Sequence, residues 1–124
     1  MAEAFANHYG SDVLLAFSSG LAPTANIAPA TVAAMKEKNI DVSGHVPELY
    51  DPLDALECDI IVNMSKFTLP GPPSLKIIEW DVADPYGGPP ALYRKVRDEL
   101  ELLVMRLILD LRRQPSKGRL TVAR

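Results

Sequence analysis

Short apolar runs recur along the chain and predict its strands. Three of them are nearly continuous, which is typical of strands buried on both faces of a parallel sheet. They are Val13 to Phe17 (V-L-L-A-F), Asp59 to Met64 (D-I-I-V-N-M) and Leu75 to Val82 (L-K-I-I-E-W-D-V).

Helical spacing of apolar residues predicts the remaining elements. The longest helix is expected over residues 91–113, where apolar side chains recur every three or four positions, at Leu92, Val96, Leu100, Leu103, Leu107 and Leu111. Shorter helices are expected over residues 1–9, with Gly10 as the stop, and over 29–38. Asp51 ahead of Pro52 predicts a short capped helical turn. Helices that alternate with buried strands predict an α/β three-layer sandwich with a mostly parallel sheet.

The end of the chain has a different composition. Residues 114–124 (Q-P-S-K-G-R-L-T-V-A-R) are basic and contain one short β-like run, Leu120 to Ala123. We therefore expect a domain over residues 1–113, followed by a basic tail over 114–124. The tail is either a frayed terminus or a short strand.

Composition and charge limit the classes of function that the chain can have. The 124 residues are 48% hydrophobic and 23% charged, with a net charge of −3. This balance predicts no general affinity for nucleic acid or for an anionic membrane, and no apolar run is long enough to span a bilayer. A single cysteine excludes an internal disulfide and favours a cytoplasmic location. His8 and His45 stand apart from other metal-ligating residues and predict surface or capping roles, so neither a metal nor another cofactor is expected.

Several segments, in order, resemble the low-molecular-weight protein tyrosine phosphatase and arsenate reductase family. They are M-A-E-A-F at 1–5, F-S-S-G-L at 17–21, A-A-M-K-E-K-N-I-D-V-S-G-H at 33–45, C-D-I-I-V-N-M at 58–64, W-D-V-A-D-P-Y at 80–86 and Y-R-K-V-R-D-E-L at 93–100. The resemblance implies a phosphatase-I-like fold. It also implies hydrolysis of phosphate monoesters, such as phosphotyrosine or a small aryl phosphate, through a cysteinyl-phosphate.

One departure from the family is large. Family members begin with a central strand and a C-x-x-x-x-x-R-S loop, whose thiolate attacks phosphorus or arsenic and whose arginine and backbone N–H groups cradle the oxyanion. Here the resemblance starts just after that loop. We therefore expect the first, central strand, the nucleophile and the arginine to be missing, and the chain as given to be inactive. A start codon placed too late, a deliberately shortened chain and a natural truncated paralogue all agree with this expectation. In the family fold the missing strand lies between the strands at 13–17 and 59–64, so the resemblance makes residues 119–123, of this chain or of a neighbouring copy, a candidate to take its place.

The resemblance assigns roles to three residues. Asp84 matches the general acid that protonates the leaving group. Tyr86 matches an aromatic side chain that lines the substrate slot, and Ser18 matches a serine that supports the catalytic loop. Each residue also has an ordinary structural explanation. Asp84 can belong to a common Asp-Pro turn, and Tyr86 can be an exposed loop residue. Ser18 can be a serine at the end of a strand whose side chain hydrogen-bonds within its own turn.

Alternative functions stay open at this level. Cys58 lacks a following arginine or a helix N-terminus and is better explained as a small apolar residue than as a nucleophile. Thioredoxin-coupled reductases of the family need two further cysteines after their third strand, and residues 65–74 contain none. A fragment of an arsenate reductase-like protein and a non-catalytic scaffold for dimerisation, strand exchange or binding remain the alternatives.

Overall fold

The chain forms four helices and four strands. The computed structural model describes residues 1–113 and the backbone of residues 118–123. In chain order the elements are α1 (Ala2–Tyr9), β1 (Leu14–Ser19), α2 (Pro29–Lys36), α3 (Pro52–Ala55), β2 (Ile60–Asn63), β3 (Ile77–Glu79), α4 (Pro90–Arg112) and β4 (Gly118–Ala123). No helix of the described part combines the length and the apolar character that crossing a bilayer requires.

All four strands form one parallel sheet in the order β1-β4-β2-β3. The C-terminal strand β4 lies in the interior of the sheet, where Thr121 is in register with Phe17 of β1 and with Ile61 of β2. The pairing predicted for residues 119–123 with the strands near 13–17 and 59–64 is therefore present.

The two faces of the sheet are covered unequally. The main core packs apolar residues of α1, α2 and α4 on the face that carries Leu14 and Ala16 of β1 and Val62 of β2. A smaller cluster on the opposite face joins Tyr50, Ala55 of α3, Ile61 and Leu69. Helices or loops on both sides of a parallel sheet form the expected three-layer α/β sandwich.

Two strands, β1 and β3, are less buried than their apolar runs predicted. All of β2 is buried, as predicted, but β1 alternates between buried and exposed residues, and β3 is short and largely exposed. Leu15 and Phe17 are about half exposed because the small second cluster covers β2 and leaves this face of β1 open. The strand β3 lies at the edge of the sheet and is three residues long, whereas the apolar run predicted eight.

The helices agree more closely with their patterns. The helix α4 buries Val96, Leu100 and Leu111 as predicted, together with Val104 and Ile108, and Leu103 is only partly buried. In α3, the side chain of Asp51 accepts a hydrogen bond of 2.9 Å from the N–H of Leu53, so the predicted cap is formed.

Candidate active site

A cavity of about 430 Å³ opens at the carboxyl ends of the strands, beside the N-terminus of α1. Its wall includes Ser18 and Ser19 from the end of β1, and Met64, which follows β2. The loop after β3 closes another side with Asp84 and Tyr86. In open α/β sheets, ligands bind outside the carboxyl ends of strands, so this cavity is the natural candidate site.

The cavity contains all three residues that the sequence singled out. Ser18, Asp84 and Tyr86 line one space although they come from two segments more than 60 positions apart in the chain. Their assigned catalytic and binding roles remain predictions, whereas their convergence is a property of the fold.

The loop that carries Asp84 is tightly turned. Asp84 Oδ1 accepts a hydrogen bond of 3.1 Å from the N–H of Tyr86, and the N–H of Gly88 donates to the carbonyl of Pro85 at 2.8 Å. Gly87 has a φ of 76°, a left-handed conformation that glycine adopts without strain. This turn holds the Asp84 carboxylate at the mouth of the cavity and leaves Tyr86 70% exposed beside it.

Ser18 contacts two polar residues that the sequence did not connect with it. Its Oγ donates a hydrogen bond of 2.5 Å to Glu3 Oε2 and lies 3.4 Å from His45 Nε2. His45 Nδ1 in turn lies 3.5 Å from Glu3 Oε2. The expectation of an isolated His45 is therefore wrong, because the turn after α2 brings it onto the wall of the cavity. His8 is exposed, as expected for a surface histidine.

This trio is not arranged as a serine nucleophile with its base. A histidine base stands between the serine and the acid in such triads. Here Ser18 hydrogen-bonds directly to the Glu3 carboxylate, so its proton does not point to His45. The trio instead ties α1, β1 and the turn at residue 45 together along one wall.

The charges in the cavity are predominantly acidic. Among its described lining residues there are three carboxylates, Glu3, Glu48 and Asp84, and neither lysine nor arginine. The partial positive charge at the N-terminus of α1 faces Glu3 in its own first turn. The described lining residues therefore supply neither a lysine nor an arginine to neutralise a phosphate dianion. The described part of the chain contains no group of three His, Cys, Asp or Glu residues able to hold a metal ion.

Comparison with known proteins agrees with this architecture. The family model for low molecular weight phosphotyrosine protein phosphatases matches residues 1–70, more than half of the chain. The chain belongs to this family. The resemblance inferred from the sequence segments is thereby confirmed.

Relatives in the family include proteins named for arsenate reduction. An arsenate reductase of Staphylococcus aureus (strain Newman) is 31% identical over 108 residues, which is 84% of this chain and 82% of that protein. The solved structure of an arsenate reductase in the reduced state has a TM-score of 0.76 and 29% identity, and covers 88% of this chain and 86% of its own. An arginine phosphatase from Geobacillus stearothermophilus has the same TM-score at 24% identity, covers 90% and 83% of the two chains, and shows a shared fold only.

The only thiol of the chain does not line the candidate cavity. Cys58 precedes β2, at the amino end of that strand, whereas Met64, which lines the cavity, follows it. Cys58 is half-buried, and its Sγ lies 3.6 Å from the carbonyl oxygen of Asp54. The sixth residue after Cys58 is Met64, so the sequence around the thiol does not form the cysteine-to-arginine loop of the family.

Proposed function

We propose that this chain is phosphatase-like. In this proposal its cavity retains the general acid for phosphomonoester hydrolysis but lacks the nucleophile. The observation that carries the proposal is the convergence of Asp84, Tyr86 and Ser18 at the carboxyl ends of the strands. In this proposal Asp84 has the position of a general acid, Tyr86 flanks the aryl group, and Ser18 supports the wall. A cytoplasmic location, in keeping with a sequence that contains a single cysteine, is part of the proposal.

The chemistry of the described residues argues for an inactive chain. Transfer of a phosphoryl group to an enzyme requires a nucleophile in line with phosphorus and positive groups around its oxygens. The described lining of the cavity has neither a thiol nor a lysine or arginine side chain. A positioned acid alone contributes only about 10²- to 10⁴-fold in rate, so Asp84 does not compensate for the other groups.

An assay with an aryl phosphate tests the inactivity. The 124-residue chain and its Cys58→Ser variant are incubated with p-nitrophenyl phosphate, and release of nitrophenol is followed. We expect equal and negligible turnover. Turnover by the parent chain above that of Cys58→Ser would contradict the proposal.

Restoring a catalytic loop tests the role of Asp84. A family-type strand and C-x-x-x-x-x-R-S loop are joined to Met1, with and without residues 118–124, because β4 occupies the position between β1 and β2. In an active graft we expect Asp84→Asn to lower kcat about 10²- to 10⁴-fold for a substrate with a poor leaving group. Asp81→Asn is the control, because Asp81 is an exposed acid of the same loop paired with Lys66 at 3.4 Å. If the two variants had equal rates, the acid role would be wrong.

Two alternatives compete with this proposal. Arsenate reduction is favoured by the names of the relatives, but a relay between cysteines needs more than one thiol, and Cys58 is the only one. A non-catalytic scaffold is favoured by the acidic cavity, whose described side chains do not complement a phosphate. Titration with inorganic phosphate separates the scaffold from an anion site: heat of binding that is lost in the Ser18→Ala variant would favour the anion site.

A further inference from the structure

A second surface, which adjoins the candidate active site at Glu48, combines exposed leucines with acidic residues. Leu49, Leu53 and Leu56 are 66%, 72% and 51% exposed, and they lie on α3 or directly beside it. Exposed acids alternate with them, namely Glu48, Asp51, Asp54 and Glu57. We call these seven residues the acidic leucine surface.

A groove of about 270 Å³ adjoins this surface. It runs between the end of β1 and α3. Its apolar lining residues are Phe17, Leu49, Tyr50, Ala55 and Cys58, and the rest of its lining consists of two serines and the four acids of the acidic leucine surface. Phe17 is 44% exposed there because the open face of β1 meets the groove. Single exposed leucines are ordinary in proteins, but three of them within eight residues, beside a groove that Leu49 itself lines together with acidic side chains, form the kind of patch that marks an interaction site.

The charge of this region has one sign. Residues 39–65 contain six acids, from Asp41 to Asp59, and neither lysine nor arginine. In the part of the chain that the structure describes, Glu48, Asp51 and Asp54 make no salt bridge. Acids elsewhere are paired, such as Asp12 with Arg112 and Glu37 with Arg97. The leucines are therefore surrounded by carboxylates that a cationic partner can approach.

We propose that the acidic leucine surface docks a segment of another protein in which apolar side chains alternate with lysine or arginine. An apolar side chain of that segment enters the groove beside Phe17, and its flanking cations meet Asp54 and Glu57. Complementary charge selects such a partner and disfavours an acidic one. The groove shares Ser18, Ser19 and Glu48 with the cavity of the candidate site, so the two sites adjoin while docking requires no hydrolysis.

Binding of defined peptides to the full 124-residue chain tests this proposal. The probe is a fluorescein-labelled amphipathic peptide of leucine and lysine, compared with a twin in which glutamate replaces lysine and another in which serine replaces leucine. Fluorescence anisotropy gives the affinities, and amide chemical shifts give the location. We expect binding of the leucine-lysine probe alone, with shifts concentrated in residues 46–59 and with affinity that falls as salt is added.

Variants of exposed residues separate docking from folding. Leu53→Ser and Leu56→Ser are each expected to lower the affinity for the leucine-lysine probe at least tenfold. The double variant Asp54→Asn with Glu57→Gln is expected to lower it by a similar factor. Leu102→Ser and Glu99→Gln are matched controls on exposed positions of α4 and are expected to leave the affinity unchanged. Circular dichroism verifies that each variant is folded.

Three outcomes would overturn the proposal. One is equal binding of the glutamate twin, and another is a set of shifts that maps away from residues 46–59. The third is self-association of the chain, measured by sedimentation, that Leu53→Ser abolishes, because the surface would then belong to an interface between two copies of this chain.

Discussion

At the scale of single residues, Asn7 protects the open edge of the sheet. Its carboxamide bonds both backbone groups of Ala16 in β1, accepting from the N–H at 2.8 Å and donating to the carbonyl at 2.9 Å. It thereby takes the place of a neighbouring strand. Edge strands with unpaired backbone groups are prone to pair with other chains, and a side chain that satisfies them removes that tendency.

Asn7→Ala is expected to destabilise the chain by about 1–3 kcal/mol, because it leaves two backbone groups of a half-buried strand without partners. Urea unfolding measures the change. Asn26→Ala is the matched control, since Asn26 is exposed and its carboxamide makes no hydrogen bond in the described chain. Equal free energies of unfolding for the two variants would show that the Asn7 bonds contribute nothing.

Gly10 is required for a reason other than the one its position after α1 predicts. Its φ is −122°, so it does not form the left-handed helix end that glycine favours. A Cβ atom at this position would instead meet Ile108 Cγ1 at 2.7 Å and Cδ1 at 2.8 Å. The missing side chain lets α4 pack closely against the end of α1.

Gly10→Ala is therefore expected to destabilise the chain by about 1–3 kcal/mol through overpacking, because Ile108 is fully buried and has little room to move. Gly44→Ala serves as the control, since a Cβ atom at Gly44 would meet no other atom within 4 Å and the φ of this residue is not left-handed. Thermal unfolding compares the two. A Gly10→Ala variant as stable as Gly44→Ala would mean that the helices separate without cost.

At the scale of elements, an arginine joins α2 to α4. The largely buried guanidinium of Arg97 donates to the carbonyl of Ala34 at 3.0 Å and to Glu37 Oε1 at 2.6 Å. Arg94 bonds the same carboxylate at 3.1 Å. Hydrogen bonds from Arg97 first, and then from Arg94, lower the pKa of the Glu37 carboxyl below its ordinary value of 4.5.

A lowered pKa gives this contact a defined pH dependence. The ionised carboxylate stabilises the folded chain above pH 4.5, and that contribution is lost as the pH falls through the lower folded pKa. Glu37→Gln is therefore expected to be less stable than the parent chain near neutral pH, with a difference that shrinks under acidic conditions. Urea unfolding at both conditions measures it.

The control for this prediction is Glu99→Gln, a change of an exposed glutamate on α4. It is expected to alter stability little at either pH. If the difference between Glu37→Gln and the parent chain grew on acidification, the assigned direction of the pKa shift would be wrong.

At the scale of the whole molecule, the last strand completes the sheet. Because β4 lies between β1 and β2, all its backbone groups face a neighbouring strand on one side or the other. The fold therefore depends on contacts between residues far apart in the chain, such as Phe17 with Thr121. Such long-range pairing adds a loop-closure cost that only the completed ladder offsets.

Thr121→Pro is expected to destabilise the chain by about 1–3 kcal/mol, because proline removes a ladder donor from an interior strand and leaves the facing carbonyl group without its partner. Loss of β4 would also expose the facing edges of β1 and β2 and promote self-association. Sedimentation and urea unfolding measure both effects. Thr121→Ser keeps the backbone donor and is expected to stay close to the parent chain, and equal behaviour of the two variants would contradict an interior position for this strand.

The sequence predicted those features that depend on local chemistry. The fully buried run of β2, the apolar stripe of α4 and the cap at Asp51 follow from spacing and from short-range hydrogen bonding, and each is present. The ordered family segments also identified the family. Asp84, Tyr86 and Ser18 were selected from those segments, and the structure places them in one cavity.

Tertiary structure decided what depends on distant neighbours. An apolar run does not reveal which of its faces will be covered, so the half-exposed β1 and the exposed edge strand β3 differed from their patterns. The contacts of His45 with Ser18 and Glu3 join residues that no local period relates. The same holds for Gly10, whose need for glycine comes from Ile108 on the distant helix α4. Local spacing constrains helices, strands and caps, whereas burial and side-chain convergence depend on how the completed sheet and its helices pack.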